Sequence, residues 1–182
     1  FTSAFLQDKT VSMRKGEFPR EKENDKTKGI SLNYDKREHI FAGDNAFIVS
    51  DLVYENILPY WREFAAALKQ FTPAFGVLPD DCESFFILRN VQLNAETIHL
   101  LRGALMNKPF HELRIMYTMD YTLRDDNDGH QDKYRRAMLV DAITALVQSN
   151  KYLRKLDMEG NLVPRDRIGK LCSSVCNHPS LL

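Results

Sequence analysis

The sequence has no long apolar run, no excess of charge of one sign and few cysteines, and each absence argues against a class of protein. No stretch of about 18 apolar residues occurs, so we expect no transmembrane helix. The chain carries 25 basic and 25 acidic residues, a balance that argues against non-specific electrostatic binding to nucleic acid. We therefore expect its partners to be other proteins, with no nucleic acid and no membrane.

The three cysteines, Cys82, Cys172 and Cys176, are too few for a disulfide framework. The first residues lack the basic start and apolar stretch of a signal peptide, so we predict a reducing, cytoplasmic location. Cys172 and Cys176 lie four residues apart on a predicted helix, and His178 follows them. A structural zinc site needs further ligands that the sequence does not offer. We therefore predict no metal site and interpret both cysteines as small packing residues.

Motifs of catalysis are also missing. The chain has no Gly-rich phosphate loop, no GxSxG and no HExxH, and its five histidines are scattered. We predict a protein that is not an enzyme, with no catalytic residues and no cofactor.

The N-terminal half divides by composition. Residues 1–43 are predicted to be a charged arm, because residues 13–38 are dense in both charges and show no sustained period, as in a linker or partly disordered segment. Residues 44–81 are predicted to be a helical cap, with Pro59 in the first turn of a helix. Spacings of three, four and three place four large side chains on one helical face: Trp61, Phe64, Leu68 and Phe71.

The C-terminal half contains a repeated pattern. Residues 153–163 read LRKLDMEGNLV and fit LxxLxLxxNxL at all its defining positions, Leu153, Leu156, Met158, Asn161 and Val163. A helical stretch carrying Ile168, Leu171 and Val175 follows, and Leu181 restarts the pattern after 28 residues (181 − 153).

An earlier copy keeps the same register. It begins at Phe110 and continues with Leu113 and Ile115, although Thr118 stands where Asn is expected. Apolar residues lie 13, 10 and 6 positions before Leu153, and the same offsets recur before Leu181: Val140, Ile143 and Val147, then Ile168, Leu171 and Val175. This copy spans 43 residues (153 − 110), which predicts an insertion of 15 relative to 28, at about residues 119–136. We interpret the insertion as a flexible loop at one rim.

The first copy of the pattern lies before these two. Its strand and turn positions are filled by Phe86, Leu88, Val91 and Leu93, and Asn94 is a predicted helix N-cap. Ile98, Leu101 and Leu105 form the face of the helix that follows.

These residues resemble leucine-rich repeats of the ribonuclease-inhibitor type, over residues 82–182 and about three repeats. The resemblance implies an α/β solenoid, with parallel strands on a concave side and helices on a convex side. Because strand side chains alternate, the positions between the consensus leucines are expected to face solvent. They are Ile87, Arg89, Asn90, Glu112, Arg114, Met116, Tyr117, Lys155, Asp157 and Glu159. The rim loop offers further candidate contacts: Tyr121, Arg124, Asp126 and Asp128.

The resemblance leaves several functions open. The first hypothesis is a non-catalytic scaffold or adaptor of a larger intracellular assembly, which binds proteins through the concave face or the rim loop. A second is regulation of a small GTPase, as with the similar repeats of Ran GTPase-activating proteins. A third is a subunit of cytoskeletal or axonemal assemblies, which would place the protein at the cytoskeleton. A fragment of an innate-immune receptor is a fourth. Fold alone does not choose among them.

Leu181 and Leu182 resemble the opening of another strand. A repeat array that ended there would expose the edge of its core. We therefore expect that further repeats or another chain cover this edge.

Overall fold

Strands and helices alternate along the computed structural model, which describes residues 3–15, 27–33, 51–71, 83–89, 91, 93–118 and 129–181. Over these residues the elements run in the order α1 (Ser3–Arg14), β1 (Thr27–Asn33), α2 (Asp51–Gln70), β2 (Glu83–Arg89), α3 (Ala95–Leu105), β3 (Glu112–Met116), α4 (Gly129–Ser149), β4 (Lys155–Asp157) and α5 (Arg165–Cys176). No helix in this part of the chain is long and apolar enough to cross a membrane.

The strands form one open parallel sheet in the order β1-β2-β3-β4. Each helix contacts the next helix along the chain, from α1 through to α5. The strands therefore form one layer and the helices another, and within each layer an element contacts the next element of its kind along the chain. The chain is a mixed helix and strand protein, as its sequence predicts.

The core lies between these two layers. Alternate residues of the strands are buried in it, namely Ile30 and Leu32 of β1, Phe86 and Leu88 of β2, and Leu113 and Ile115 of β3. The predicted apolar strand positions of β2 and β3 are therefore confirmed as core residues.

Strand β1 corrects the prediction of an arm without regular structure over residues 13–38. Residues 27–33 pair in parallel with β2, with Ile30 beside Phe86 and Leu32 beside Leu88. Only these two apolar side chains mark the strand in a polar stretch, so its local pattern is weak. Pairing with a hydrophobic neighbour strand stabilises it instead, as is usual for strands whose own preference is small. Before it, α1 buries Leu6 and Met13 and packs against α2.

Helix α2 confirms the predicted apolar face but not the predicted boundary. Trp61, Phe64, Leu68 and Phe71 are all buried, and the rings of Trp61 and Phe64 meet nearly perpendicularly, with centroids 5.8 Å apart. Pro59 lies inside the helix and does not begin a new one. Proline has no N–H to offer the preceding turn, a loss that burial of the following face outweighs here. Because β1 precedes α2, this helix follows a strand, as α3, α4 and α5 do.

Helix α3 begins as predicted. The side chain of Asn94 accepts a hydrogen bond from the Thr97 N–H at 2.9 Å, and Ile98, Leu101 and Leu105 are buried. The helix ends before Asn107, whose φ of +63° stops further helical hydrogen bonding.

Helix α4 shortens the predicted insertion. Residues 129–136, expected in a rim loop, form its first two turns, because the helix anchored by Val140, Ile143 and Val147 extends back into a polar stretch. Those three apolar residues are buried, as predicted. The remaining rim-loop candidates, Tyr121, Arg124, Asp126 and Asp128, lie outside the described residues, as do most of the predicted cap residues on either side of α2.

The last strand–helix unit is less buried than the units before it. Ile168 of α5 is 44% exposed, whereas Val140, which occupies the same position in α4, is 1% exposed. Leu156, Leu171 and Val175 are half-buried, and α5 has no fully buried residue. Within the described residues, nothing lies beyond this unit on its outer side.

The lower burial of the last unit predicts that two matched substitutions lower the free energy of unfolding by different amounts. Ile143→Ala removes a fully buried side chain, and we expect it to lower the free energy of unfolding by about 2–5 kcal/mol. Leu171→Ala removes the same number of carbons at the same position of the last unit, and we expect less than half that cost. Urea denaturation of both variants measures the difference. Equal costs would contradict an uncovered outer edge.

Candidate partner-binding face

The side of the sheet away from the helices carries charged and apolar side chains in rows. We call the seven residues of this side the open face: Phe85, Ile87, Arg89, Glu112, Arg114, Lys155 and Asp157. The strand register sets Phe85, Glu112 and Lys155 side by side in one row. It sets Ile87, Arg114 and Asp157 side by side in the next.

Glu112 is the centre of this face. Its Oε1 atom accepts hydrogen bonds from Arg114 Nε and from Lys155 Nζ, the latter at 2.8 Å. The Glu112 side chain is only 16% exposed, whereas Lys155 is largely in solvent. The carboxylate therefore fixes two basic side chains from adjacent strands in one arrangement.

Burial by itself would raise the pKa of the Glu112 carboxyl. The hydrogen bonds and positive charges of Arg114 and Lys155 outweigh that effect and leave the pKa below its ordinary value of 4.5. The Glu112 carboxylate is therefore ionised at neutral pH and stays paired with the positive charges of Arg114 and Lys155.

An aromatic side chain, Tyr117, follows the end of β3 and packs against the turn that follows β4. The Tyr117 N–H donates to the Glu159 carbonyl at 3.0 Å, and the Tyr117 hydroxyl donates to the Glu159 carboxylate. The ring lies against Gly160, where a Cβ atom would come within 2.2 Å of Tyr117 Cδ1. Gly160 also has a φ of +72°, which glycine adopts without strain. Glycine is therefore favoured here for two reasons: the backbone conformation of the turn and the space that the Tyr117 ring occupies.

Asn161 ties this turn to the previous one. Its Oδ1 accepts from the Thr118 N–H at 3.1 Å and from the Thr118 hydroxyl at 2.9 Å, and its Nδ2 donates to the Ile115 carbonyl. Thr118, which stands where the pattern expects Asn, is fully buried, and its carbonyl accepts from the Leu93 N–H at 3.1 Å. Successive turns are thus linked by hydrogen bonds at the same end of the strands.

The structure places most of the predicted contact residues together. Glu112, Arg114, Lys155 and Asp157 share the open face, and Arg89 is exposed at the end of β2. Tyr117 and Glu159 meet in the adjoining turn, while Asn90 lies outside the described residues.

Met116 corrects the prediction of a solvent-facing side chain, because it is only 5% exposed. It is the last residue of β3, and Tyr117 after it has a φ of +52°, so strand alternation no longer holds there. Ile87 is half-buried, and so is Phe85, which the sequence interpretation missed. Phe85 lies two residues before Ile87, so the period of the strand could have identified it.

Other features of the described residues do not form a site. A gap of about 20 Å³ between the sheet and the helices is lined mostly by core leucines and isoleucines, and has room for about one water molecule. Cys172 and Cys176 are exposed, so the interpretation of both as packing residues is wrong, because α5 has no fully buried residue among those that the structure describes. Both ring nitrogens of His178 are used in its own turn, since Nδ1 accepts from the Ser180 and Leu181 N–H groups and Nε2 donates to the Asn150 carbonyl. Among the residues that the structure describes, no cluster of His, Cys, Asp and Glu could hold a metal ion.

No protein-family profile, curated protein or solved structure matches the chain.

The lowered pKa of Glu112 predicts how stability depends on pH. Because the folded pKa lies below 4.5, the ionised carboxylate contributes stability that is present above this value and is lost as pH falls through the folded pKa. We expect the difference in unfolding free energy between wild type and Glu112→Gln to be constant at neutral pH and to shrink below about pH 4.5. Urea unfolding across this range measures it, and a difference that grows on acidification would contradict the sign.

Because Tyr117 contacts Gly160, we expect substitutions of the two residues to have non-additive effects on the free energy of unfolding. Gly160→Ala should lower the free energy of unfolding by about 1–3 kcal/mol, because of its positive φ and the clash with the ring. In a Tyr117→Ala background the clash is absent, so the same change should cost less. Gly103→Ala is the control, because its Cβ would meet no atom within 4 Å. A double-mutant cycle in urea that finds no coupling would refute the contact.

Proposed function

We propose that this chain is a short leucine-rich-repeat solenoid and a non-catalytic scaffold that binds another protein through its open face. The repeat assignment is supported by parallel strands in chain order, by helices that each contact the next helix along the chain, and by Asn161, which links successive turns. Such a stack offers an extended strand surface suited to binding a macromolecule.

The observation that carries the binding proposal is the set of charges that Glu112 orders, beside half-buried apolar side chains. Glu112 holds Arg114 and Lys155 in place, so their ordering costs little entropy when a partner binds. Half-buried Phe85 and Ile87 lie in the same two rows and supply apolar surface. Arg and aromatic residues are the types that most often dominate binding energy at protein interfaces.

Tyr117 extends this surface at one end. Its ring rests on Gly160 and its hydroxyl is held by Glu159, so the side chain is exposed and also restrained. A restrained aromatic side chain is a suitable anchor for a protein partner.

The test compares partners of the wild-type chain with those of Arg114→Glu/Tyr117→Ala, by affinity purification from cells and mass spectrometry. We expect one dominant partner to be lost, and its affinity for the purified double variant to fall at least about tenfold, or about 1.4 kcal/mol. Arg102→Glu is the matched control, since it makes the same change of charge on α3 in the helical layer.

Urea unfolding of the variants establishes that loss of binding is not loss of the fold. A small GTPase as the lost partner would favour regulation of that enzyme, and a cytoskeletal protein would favour an assembly role. An unchanged set of partners for the folded double variant would refute binding through the open face.

A further inference from the structure

The outer edge of β4 has backbone groups directed away from the sheet. The Lys155 N–H donates to the His111 carbonyl at 3.0 Å, so Lys155 and, two residues on, Asp157 direct their backbone groups toward β3. Because these groups alternate along a strand, the N–H and carbonyl of Leu156 are directed to the opposite side. Among the described residues no strand pairs with β4 on that side.

The helix above this edge has a flank that no other described residue covers. Arg167 and Lys170 bind Asp141 of α4, which sets one side of α5 against α4. Helical periodicity then places Ile168 and Cys172 on the far side. Ile168 is 44% exposed and Leu162, in the loop between β4 and α5, is 52% exposed. The edge of β4 and the flank of α5 form one partly apolar surface, which we call the outer edge.

The charges on β4 show which occupant this surface fits. Lys155 and Asp157 stand on either side of Leu156. A second copy related by a two-fold axis at Leu156 would run antiparallel and set Lys155 of each copy opposite Asp157 of the other. Each row of the joined sheet would then alternate in sign: Glu112, Lys155, then Asp157 and Arg114 of the second copy. Directly opposed pairs of unlike charge stabilise neighbouring strands.

We propose that two copies of this chain pair through the outer edge, with β4 antiparallel to β4 and α5 against α5. The Leu156 N–H of each copy donates to the Leu156 carbonyl of the other, and the two sheets become one. Such an interface is self-complementary and closes after two copies. It also covers an edge strand, the part of a sheet most open to unwanted pairing. This proposal does not depend on the function proposed above.

The test uses two charge variants of the full chain, Lys155→Asp and Asp157→Lys, with sedimentation and light scattering over a range of concentrations. We expect the wild-type chain to dimerise. Each variant alone should be largely monomeric, because Lys155→Asp opposes acidic pairs and Asp157→Lys opposes basic pairs. An equimolar mixture should form a heterodimer, because both opposed pairs are again of unlike charge. Lys69→Asp, on α2, is the control and should dimerise as wild type does.

A second readout needs no substitution. Cys172 and Cys176 are exposed on α5, so dimerisation should slow their reaction with iodoacetamide as the concentration of the chain rises. A wild-type chain that stays monomeric at high concentration would overturn the proposal and leave the outer edge to a different protein. A dimer that both folded variants still form alone, or one with unchanged thiol reactivity, would place the interface elsewhere and also overturn it.

Discussion

Contact between neighbouring strand–helix units is the constraint on which the rest of this structure depends. A unit of one short strand and one helix buries too little apolar surface to be stable alone, so it needs a neighbour on each side. The series Val140, Ile143 and Val147 is buried because a unit lies on both sides of it, whereas the matching residues of α5 are partly exposed. The same sequence pattern thus reaches different burial at different places in the stack.

This constraint also determines where binding chemistry is available. The helices occupy one side of the sheet, and the charged side chains of β3 and β4 lie on the other. There, parallel pairing in register brings Glu112 beside Lys155 and Arg114 beside Asp157. A half-buried carboxylate shared by two bases restrains long side chains that would otherwise lose entropy on binding. The strand register and the identities of these four residues therefore decide which side chains of the open face are held in place.

Prediction from the sequence worked where local pattern and tertiary environment agree. The helical face of Trp61 and Phe64, the N-cap at Asn94 and the apolar positions of β2 and β3 follow from spacing alone, and the structure confirms them. Prediction from the sequence failed where pairing with a distant segment of the chain determines the local structure. Strand β1 has little apolar pattern of its own, and it is a strand because β2 offers a hydrophobic partner for Ile30 and Leu32.

Met116 and Pro59 show the same limit at single residues. Alternation predicts Met116 on the open face, but the chain leaves the strand at Tyr117 and the side chain is buried. Proline at position 59 is a signal for the start of a helix, yet the helix continues through it because the next turns carry four buried side chains. Local rules give the preference of a residue, and packing free energy overrides them when it is larger.

The sequence by itself determined the class of the chain, its repeated register and the residues of its core, because those depend on periodicity and on the exclusion of apolar groups from water. Only the tertiary structure decided which charges meet on the open face, that β1 joins the sheet, and how far the residues of α5 are exposed. These properties depend on which strands lie side by side, and residues such as Glu112 and Lys155 are brought together only by parallel pairing across an intervening helix.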